Sequence, residues 1–330
     1  MQNTFDLITI GDSTIDTFIS VHDATVECDV NRESCKICFA YGSKIPVDAI
    51  AHGLAGNAAN VAVGAARLGL KSAVYTNLGD DDEGKQIKRA FEKDNVDLSY
   101  VKINEKKSSN LSVVITFQGE RTIFVYHQDW FYHLPDMEGT KWVYLTSMGQ
   151  SFTNSNIMDE VHHYIQKTGA KLAFGPGTYQ LKADIKRFPK ILDNCELLIV
   201  NMEEAKRILN IDQTEKTDPR DLLAKLQMLG PKMVVITDSE EGSYATDGNK
   251  TLKVGTFPMQ VVQKTGAGDA YSAAFVAAIC LGLPIEEAMV WGAINASHVI
   301  AHVGAQVGLM TKAELEKYRK TVSEMKAVSF

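Results

Sequence analysis

An α/β fold, with a mostly parallel sheet covered by helices on both faces and a small β-sheet lid, is what the sequence predicts. Three observations carry that prediction. Short apolar runs of strand length alternate with segments of helical periodicity along most of the 330 residues, the rhythm of successive β-α-β units. Two segments, 17–50 and 111–126, break this rhythm with alternating β-type residues, as strands inserted between such units do when they build a separate small sheet. No repeat, linker or low-complexity tract divides the chain. At about 150 residues per domain, the length alone allows two domains or one large α/β domain with an appendage.

Phe5 to Ile10 reads as a buried first strand ending at Gly11. Ala58, Val61, Ala62, Ala65 and Leu68 recur at helical spacing, with Gly69 following as the C′ residue. Val74 to Leu78 reads as a second strand and Glu83 to Asp94 as a helix. A hairpin follows: Leu111 to Phe117, a turn at Gln118-Gly119-Glu120-Arg121, then Thr122 to Tyr126. Further apolar strands fall at Trp142 to Thr146, Lys171 to Phe174, Leu197 to Val200 and Met233 to Thr237. Before the last of these, Asp218 suits an N-cap, Pro219 the N1 position and Gly230 the C′ position of one helix.

Composition narrows the function. Hydrophobic residues at 45% and charged residues at 23% are ordinary globular usage and exclude wholesale disorder. Lys and Arg number 34 against 41 Asp and Glu, a net charge of −7, which argues against nucleic acid or an anionic membrane as the main partner. The longest mostly apolar run, Ala273 to Ile285, is broken by Gly282 and Pro284 and is shorter than the roughly 18 residues a bilayer span requires. Met1 to Ile10 carries neither a basic n-region nor a small-residue cleavage site. The five cysteines are therefore expected as reduced thiols in a cytoplasmic protein.

Several tempting motifs are incomplete. Gly79 to Gln86 has phosphate-loop spacing, but its acidic centre would repel phosphate and it lacks the Ser or Thr that holds Mg²⁺; it reads as an exposed turn opening a helix. Gly11-Asp12-Ser13 matches a hydrolase nucleophile block without the late Asp-x-x-His that chemistry needs. His298 and His302 have no third metal ligand, and Cys35-Lys36-Ile37-Cys38 with Cys28 lacks a fourth. His162-His163 reads as a solvated helix face.

Two tracts hold. Lys264 to Ala270, KTGAGDA, precedes an Ala-rich helix, so the amides of Gly266, Ala267 and Gly268 are free to bind an anion at a helix start. Asp269 then lies beside an anion hole, where a base would serve phosphoryl transfer to an alcohol. A tight strand-to-helix turn with a capping Asp is the plainer alternative. Residues 52 to 69 place Asn57 and Asn60 among small residues at another helix start, for which a Gly/Ala turn with Asn caps is the plainer alternative.

Together, in this order, the two tracts resemble the PfkB/ribokinase family of carbohydrate kinases. The resemblance runs along nearly the whole chain. Gly11 to Asp16 is similar to the family's first-strand turn, whose last Asp accepts substrate hydroxyls, and Gly79 to Gly84 to its second-strand turn. Asn201-Met202-Glu203-Glu204 matches the Asn-x-x-Glu element, Val235 to Asp238 with Gly242 resembles the nucleotide-side turn, and Gly304-Ala305-Gln306 the loop beside the nucleotide and cation sites.

The resemblance implies a ribokinase-like single domain over 1–330, with a lid from 17–50 and 111–126 that also pairs two subunits into a homodimer. It implies an ATP- and Mg²⁺-dependent kinase acting on a hydroxyl of a sugar or sugar-like molecule. Asp269 would be the general base, with Gly266, Ala267 and Gly268 as the anion hole. Asp16 and Asn60 would hold the acceptor diol, with Gly56 and Asn57 shaping that pocket. Asn201, Glu204, Thr237, Asp238 and Gly242 would line the nucleotide side, Glu204 organising Mg²⁺ through water. A nucleoside kinase of the same fold, or a non-catalytic ligand-binding relative, are the alternatives; the intact Asp269 and Asn201-x-x-Glu204 argue against the second. Two positions depart from the family pattern. Gln263-Lys264 replaces an Asp-Thr, which puts a monovalent-cation site in doubt and leaves Lys264 either supplying the positive charge or pointing to solvent. Phe174-Gly175-Pro176-Gly177 lacks the usual Asn.

Overall fold

The computed structural model describes residues 4–29, 35–118 and 120–330. Strand and helix alternate as expected, and the strands assemble into a large sheet. Among the described residues its spatial order is Val328–Ser329, Thr251–Val254, Ser243–Thr246, Met233–Thr237, Cys195–Asn201, Lys171–Phe174, Thr140–Leu145, Phe5–Ile10, Ser72–Gly79 and Val101–Asn104. Neighbours from Met233–Thr237 through to Val101–Asn104 pair in parallel, and the three strands at the other edge pair antiparallel. All eight residues of Ser72–Gly79 are buried, which is what helices on both faces of a parallel sheet produce. Side chains alternate along the strands: Ile8 and Ile10 enter one apolar cluster, Leu7 the cluster on the opposite face.

The two β-rich segments form a second sheet in the order Val47–Ala55, Thr14–Val21, Leu111–Phe117 and Glu120–Tyr126. Its strands begin earlier and end later than the expected lid, because Thr14 already pairs with Ala55. The hairpin turn falls at Gln118 as expected, where φ is 50°, but it is shorter than expected, since Glu120 and Arg121 already pair with Phe117 and Thr116; Gly119 lies outside the described residues.

Local signals placed most helix ends. Asn57–Arg67 stops at Leu68, with Gly69 left-handed at φ 93°. Pro219–Gln227 starts on the Asp218 cap as expected but ends at Met228, so Gly230 lies one position beyond the C′ site assigned to it. The helix stops early because the chain must turn into Met233–Thr237, and Gly230 packs against the backbone of Leu192 and Asp193, where a Cβ would stand 2.8 Å away.

The thiol expectation is corrected at one pair. Cys28 and Cys35 sit opposite each other on the ribbon Thr25–Cys28 and Cys35–Cys38 and are joined in a disulfide, since direct opposition in an antiparallel pair brings two side chains together. Cys38, Cys195 and Cys280 are free. Among the described residues no three His, Cys, Asp or Glu side chains converge as metal ligands, and no helix is long and apolar enough to cross a membrane.

The acidic tract 79–86 opens the helix Asp82–Lys93 as expected. Asp81 caps it, accepting from the Gly84 amide at 2.9 Å, and also takes the Ser109 hydroxyl at 2.7 Å and the Ser109 amide at 2.6 Å. Burial raises its pKa, but these donors outweigh burial and hold the carboxyl below the usual range. A depressed folded-state pKa stabilises above the unfolded value, about 3.9, and that contribution is lost as pH falls through the folded one. Asp81→Ala is therefore expected to cost about 1–2 kcal/mol at pH 7, with a smaller difference from the parent below about pH 3. Urea denaturation at both pH values measures it, and equal destabilisation at both would refute the charge-dependent part.

Candidate active site

The candidate residues gather at the C-terminal ends of the parallel strands, where open α/β sheets bind their ligands. After Phe5–Ile10 the chain turns through Gly11, Asp12 and Ser13 into Thr14–Val21, which brings Asp16 to a position only 7% exposed. Gly56 closes against this turn: with φ 95°, its absent Cβ would lie 2.7 Å from the Asp12 carbonyl oxygen and 2.8 Å from Ser13 Cα. Only glycine combines that dihedral with that approach. The helix Asn57–Arg67 starts there, and Asn57 and Asn60, three positions apart, share one face.

Gly266 makes the opposite wall. It is left-handed at φ 82°, and a Cβ would stand 2.7 Å from Ala305. It opens the helix Ala267–Cys280, whose N-terminus no side chain caps, so its first amides are left for a ligand. Beside Gly268 there is open space where a Cβ would project.

Asp269, in the first turn of that helix, joins the two walls. Asn57 Nδ2 donates to Asp269 Oδ1 at 2.8 Å, and Asn60 Nδ2 donates to Oδ2 at 2.7 Å. The two amides expected in the acceptor pocket thus each give a donor to the carboxylate. Asn60 Oδ1 in turn accepts from Gln306 Nε2 at 2.9 Å.

The electrostatics are those of crowded carboxyls. Burial pushes Asp269 up against the pull of its two amide donors. Burial likewise raises Asp16, to about 6; Ser112 opposes the rise and the charge of Asp269 adds to it. Glu204 is raised by burial and by Asp269, against the Asn201 amide.

Of the residues expected on the nucleotide side, Asn201 and Glu204 form a reciprocal cap: Asn201 Oδ1 accepts from the Glu204 amide at 2.8 Å and Glu204 Oε2 from the Asn201 amide at 2.9 Å. The cap uses Oε2 and leaves the other carboxylate oxygen outside that exchange. Thr237 is paired with Asn201 in the neighbouring strand. The Asp238 amide donates to Gly242 O at 2.8 Å, closing a turn there, and burial with the charge of Glu241 raises the Asp238 carboxyl.

At the departures, Gln263 is 8% exposed and accepts from the Gly304 amide through Oε1 at 2.8 Å, while its buried Nε2 has no partner. Lys264 is exposed, the solvent-facing alternative. At the second departure, Gly175 lies under the Tyr144 hydroxyl, which a Cβ would meet at 2.3 Å. His298 and His302 are structural, bonding to Gly308 O at 2.7 Å and to His298 O at 2.9 Å.

One buried group escaped sequence reasoning. Asp12, 6% exposed, accepts from the Tyr132 hydroxyl at 3.0 and 2.9 Å and from the Gly149 amide at 2.9 Å. Burial pushes it up to about 7 despite those donors. A carboxylate directly after a buried strand was the available signal, and it was absorbed into the turn motif.

The chain is similar to known kinases in sequence and in fold. The chain is 28% identical over 281 residues to the 5-dehydro-2-deoxygluconokinase of Geobacillus kaustophilus, covering 80% of this chain and 83% of that protein. It is 25% identical over 274 residues to the nucleoside kinase of Methanothermobacter thermautotrophicus, covering 79% and 83%. The structure of Arabidopsis thaliana ribokinase complexed with ribose and ATP superposes with a TM-score of 0.75 at 22% identity, over 95% of this chain and 98% of that one. Residues 16–312 match the pfkB family carbohydrate kinase domain, so the chain belongs to the pfkB family of carbohydrate kinases.

Proposed function

We propose that this kinase transfers the γ-phosphoryl group of ATP to a hydroxyl of a sugar or sugar-like acceptor, with Asp269 as general base. The observation that carries the reading is a carboxylate held by two amides at the mouth of an uncapped helix N-terminus. When bound, ATP supplies the phosphoryl group and Mg²⁺ offsets its charge. Asp16 and Asn60 orient the acceptor, with Gly56 and Asn57 shaping its pocket. As the acceptor oxygen bonds to the γ-phosphorus, its proton passes to Asp269 and the bond to the β-phosphate oxygen breaks. The Gly266, Ala267 and Gly268 amides stabilise charge on the transferring group, where most phosphoryl-transfer catalysis lies.

The residues present fit both groups. Open space beside Gly268 and free first-turn amides suit a phosphate. Asn201, Thr237, Asp238 and Gly242 line the nucleotide side next to it. Glu204 has one oxygen outside its cap and would help hold Mg²⁺ through water, with the phosphates supplying its other oxygens. The small sheet, expected from 17–50 and 111–126, acts as the lid of a single domain. A cleft of about 550 Å³ separates its face at Phe18, Ala51 and Thr116 from Val262, Gln263 and Val303, leaving room to close and exclude water. The setting proposed is cytoplasmic. A nucleoside acceptor is the second reading, favoured by the nucleoside kinase relative.

A panel of sugars and nucleosides with ATP identifies the acceptor. In that assay Asp269→Asn should lose roughly 10²–10⁴-fold in kcat with near-normal nucleotide binding, while Glu204→Gln raises the Mg²⁺ requirement and leaves acceptor affinity unchanged. Less than a fivefold loss in Asp269→Asn, with chemistry rate-limiting, removes Asp269 from the mechanism.

The edge strand Glu120–Tyr126 is exposed throughout and carries Ile123, Phe124, Val125 and Tyr126 at 42–58% exposure. An apolar, unpaired edge calls for a partner, and a second copy of the chain is the occupant proposed. Light scattering at tens of micromolar should read a dimer; a monomer overturns this.

Gln263 does not fit a potassium site, since its neutral amide takes the place of a carboxylate and presents a buried N–H₂. Initial rates should vary less than about twofold with KCl when choline chloride holds ionic strength constant. More than tenfold activation would contradict this assignment.

A further inference from the structure

Asn60 and Arg67 stand seven positions apart on one helix, so they point to nearly the same side. Both meet the segment 304–309. Arg67 binds Asp94 with two bonds, 2.7 and 2.9 Å, and donates onward to the carbonyl oxygens of Gln306 at 2.7 Å and Leu309 at 3.1 Å. Between them, Gly64 allows the close approach, since a Cβ there would stand 2.6 Å from Ala273 Cβ and 3.5 Å from Leu309 Cδ2. At the other end, the Gly304 amide is held by Gln263. The segment is thereby fixed at both ends, and it presents Gln306 Nε2 to Asn60 Oδ1.

We propose that Gln306 is a positioning residue for Asp269. An Asn side chain has a donor end and an acceptor end of almost the same shape. Asn60 is 3% exposed, so protein neighbours decide which end faces which way. Because Gln306 donates to Oδ1, the N–H₂ of Asn60 is left facing Asp269. Turned over, the same amide would set its carbonyl against the carboxylate, exchanging an attraction for a repulsion. Gln306 acts without touching acceptor or ATP, and its effect on rate rests on the reading of Asp269 as the base. The other titratable groups facing Asp269 are Asp16 from Thr14–Val21, Glu204 from Met202–Ile208 and Tyr144 from Thr140–Leu145. The variants below leave all three in place.

Gln306→Glu reverses the polarity with little change in shape: its oxygens draw the Asn60 N–H₂ away from Asp269. In full-length enzyme carrying ¹³C-labelled aspartate, the Asp269 carboxyl resonance (assigned by its disappearance in Asp269→Asn) should titrate about one unit higher than in the parent. The acid limb of kcat should move up in pH by a similar amount, because a base with a raised pKa stays protonated to higher pH, while KM for acceptor and ATP stays within about threefold. Gln306→Leu, which removes the donor without reversing it, should lower kcat about tenfold with a smaller upward shift. An Asp269 titration that is unmoved or moves down overturns the inference, and Gln306→Leu applies the same criterion should Gln306→Glu not fold. An active Asp269→Asn defeats the base reading and leaves the titration test of Gln306 standing.

Discussion

Asp269 is held by two amides that lie 212 and 209 residues away along the chain, and the rest of the site depends on that pair of bonds. A carboxylate taken out of water is costly unless donors replace its solvation. Hydrogen bonds to a charged group contribute about 1.5–3 kcal/mol each, so the two amides offset much of that cost. They reach it only because the helices Asn57–Arg67 and Ala267–Cys280 lie side by side. Small residues at the crossing make that possible: Gly64 faces the fully buried Ala273, and Ala270 packs in one cluster with Ala58, Ala59 and Ala62. Close helix packing and placement of Asp269 are thus one structural fact.

The second constraint is charge. Asp16, Asp269 and Glu204 come from three different elements, and Asp269 raises the carboxyls of the other two. Such a site repels a polyphosphate unless a cation comes with it, which would give the proposed Mg²⁺ an electrostatic role before any chemistry begins. Burial raises the Asp269 carboxyl as well, a direction that favours the proposed role as base, because a carboxylate of higher pKa takes a proton more readily.

In the proposed mechanism, acceptor recognition is divided between the two sheets. Asp16 lies on Thr14–Val21, a strand of the small sheet, paired with Gly53 on one side and Ser112 on the other. Asp269 belongs to a helix that covers the large one. A shift of the small sheet would move Asp16 relative to Asp269, so in the proposed mechanism closing over an acceptor and aligning its hydroxyl with Asp269 would be the same motion.

The sequence by itself determined whatever short-range periodicity and backbone chemistry record. Alternating strand and helix patterns, the Asp218 and Gly69 helix ends, and the glycines needed at positions 56 and 266 were all legible. So was Asp269, because an acid beside an anion hole is chemically conspicuous within seven residues. The tertiary structure alone decided partnership. That Asn57 and Asn60 bind Asp269, that Gln306 orients Asn60, that Cys28 meets Cys35 across a ribbon, and that the sheet gains three antiparallel edge strands all depend on which elements become neighbours. Gly230 shows the same limit locally, since the helix end gave way to packing against Leu192. Burial leaves a repeating mark along its own element. A hydrogen bond between residues 200 positions apart leaves none in a single chain, because either residue alone is equally compatible with a cap, a turn or a solvated face.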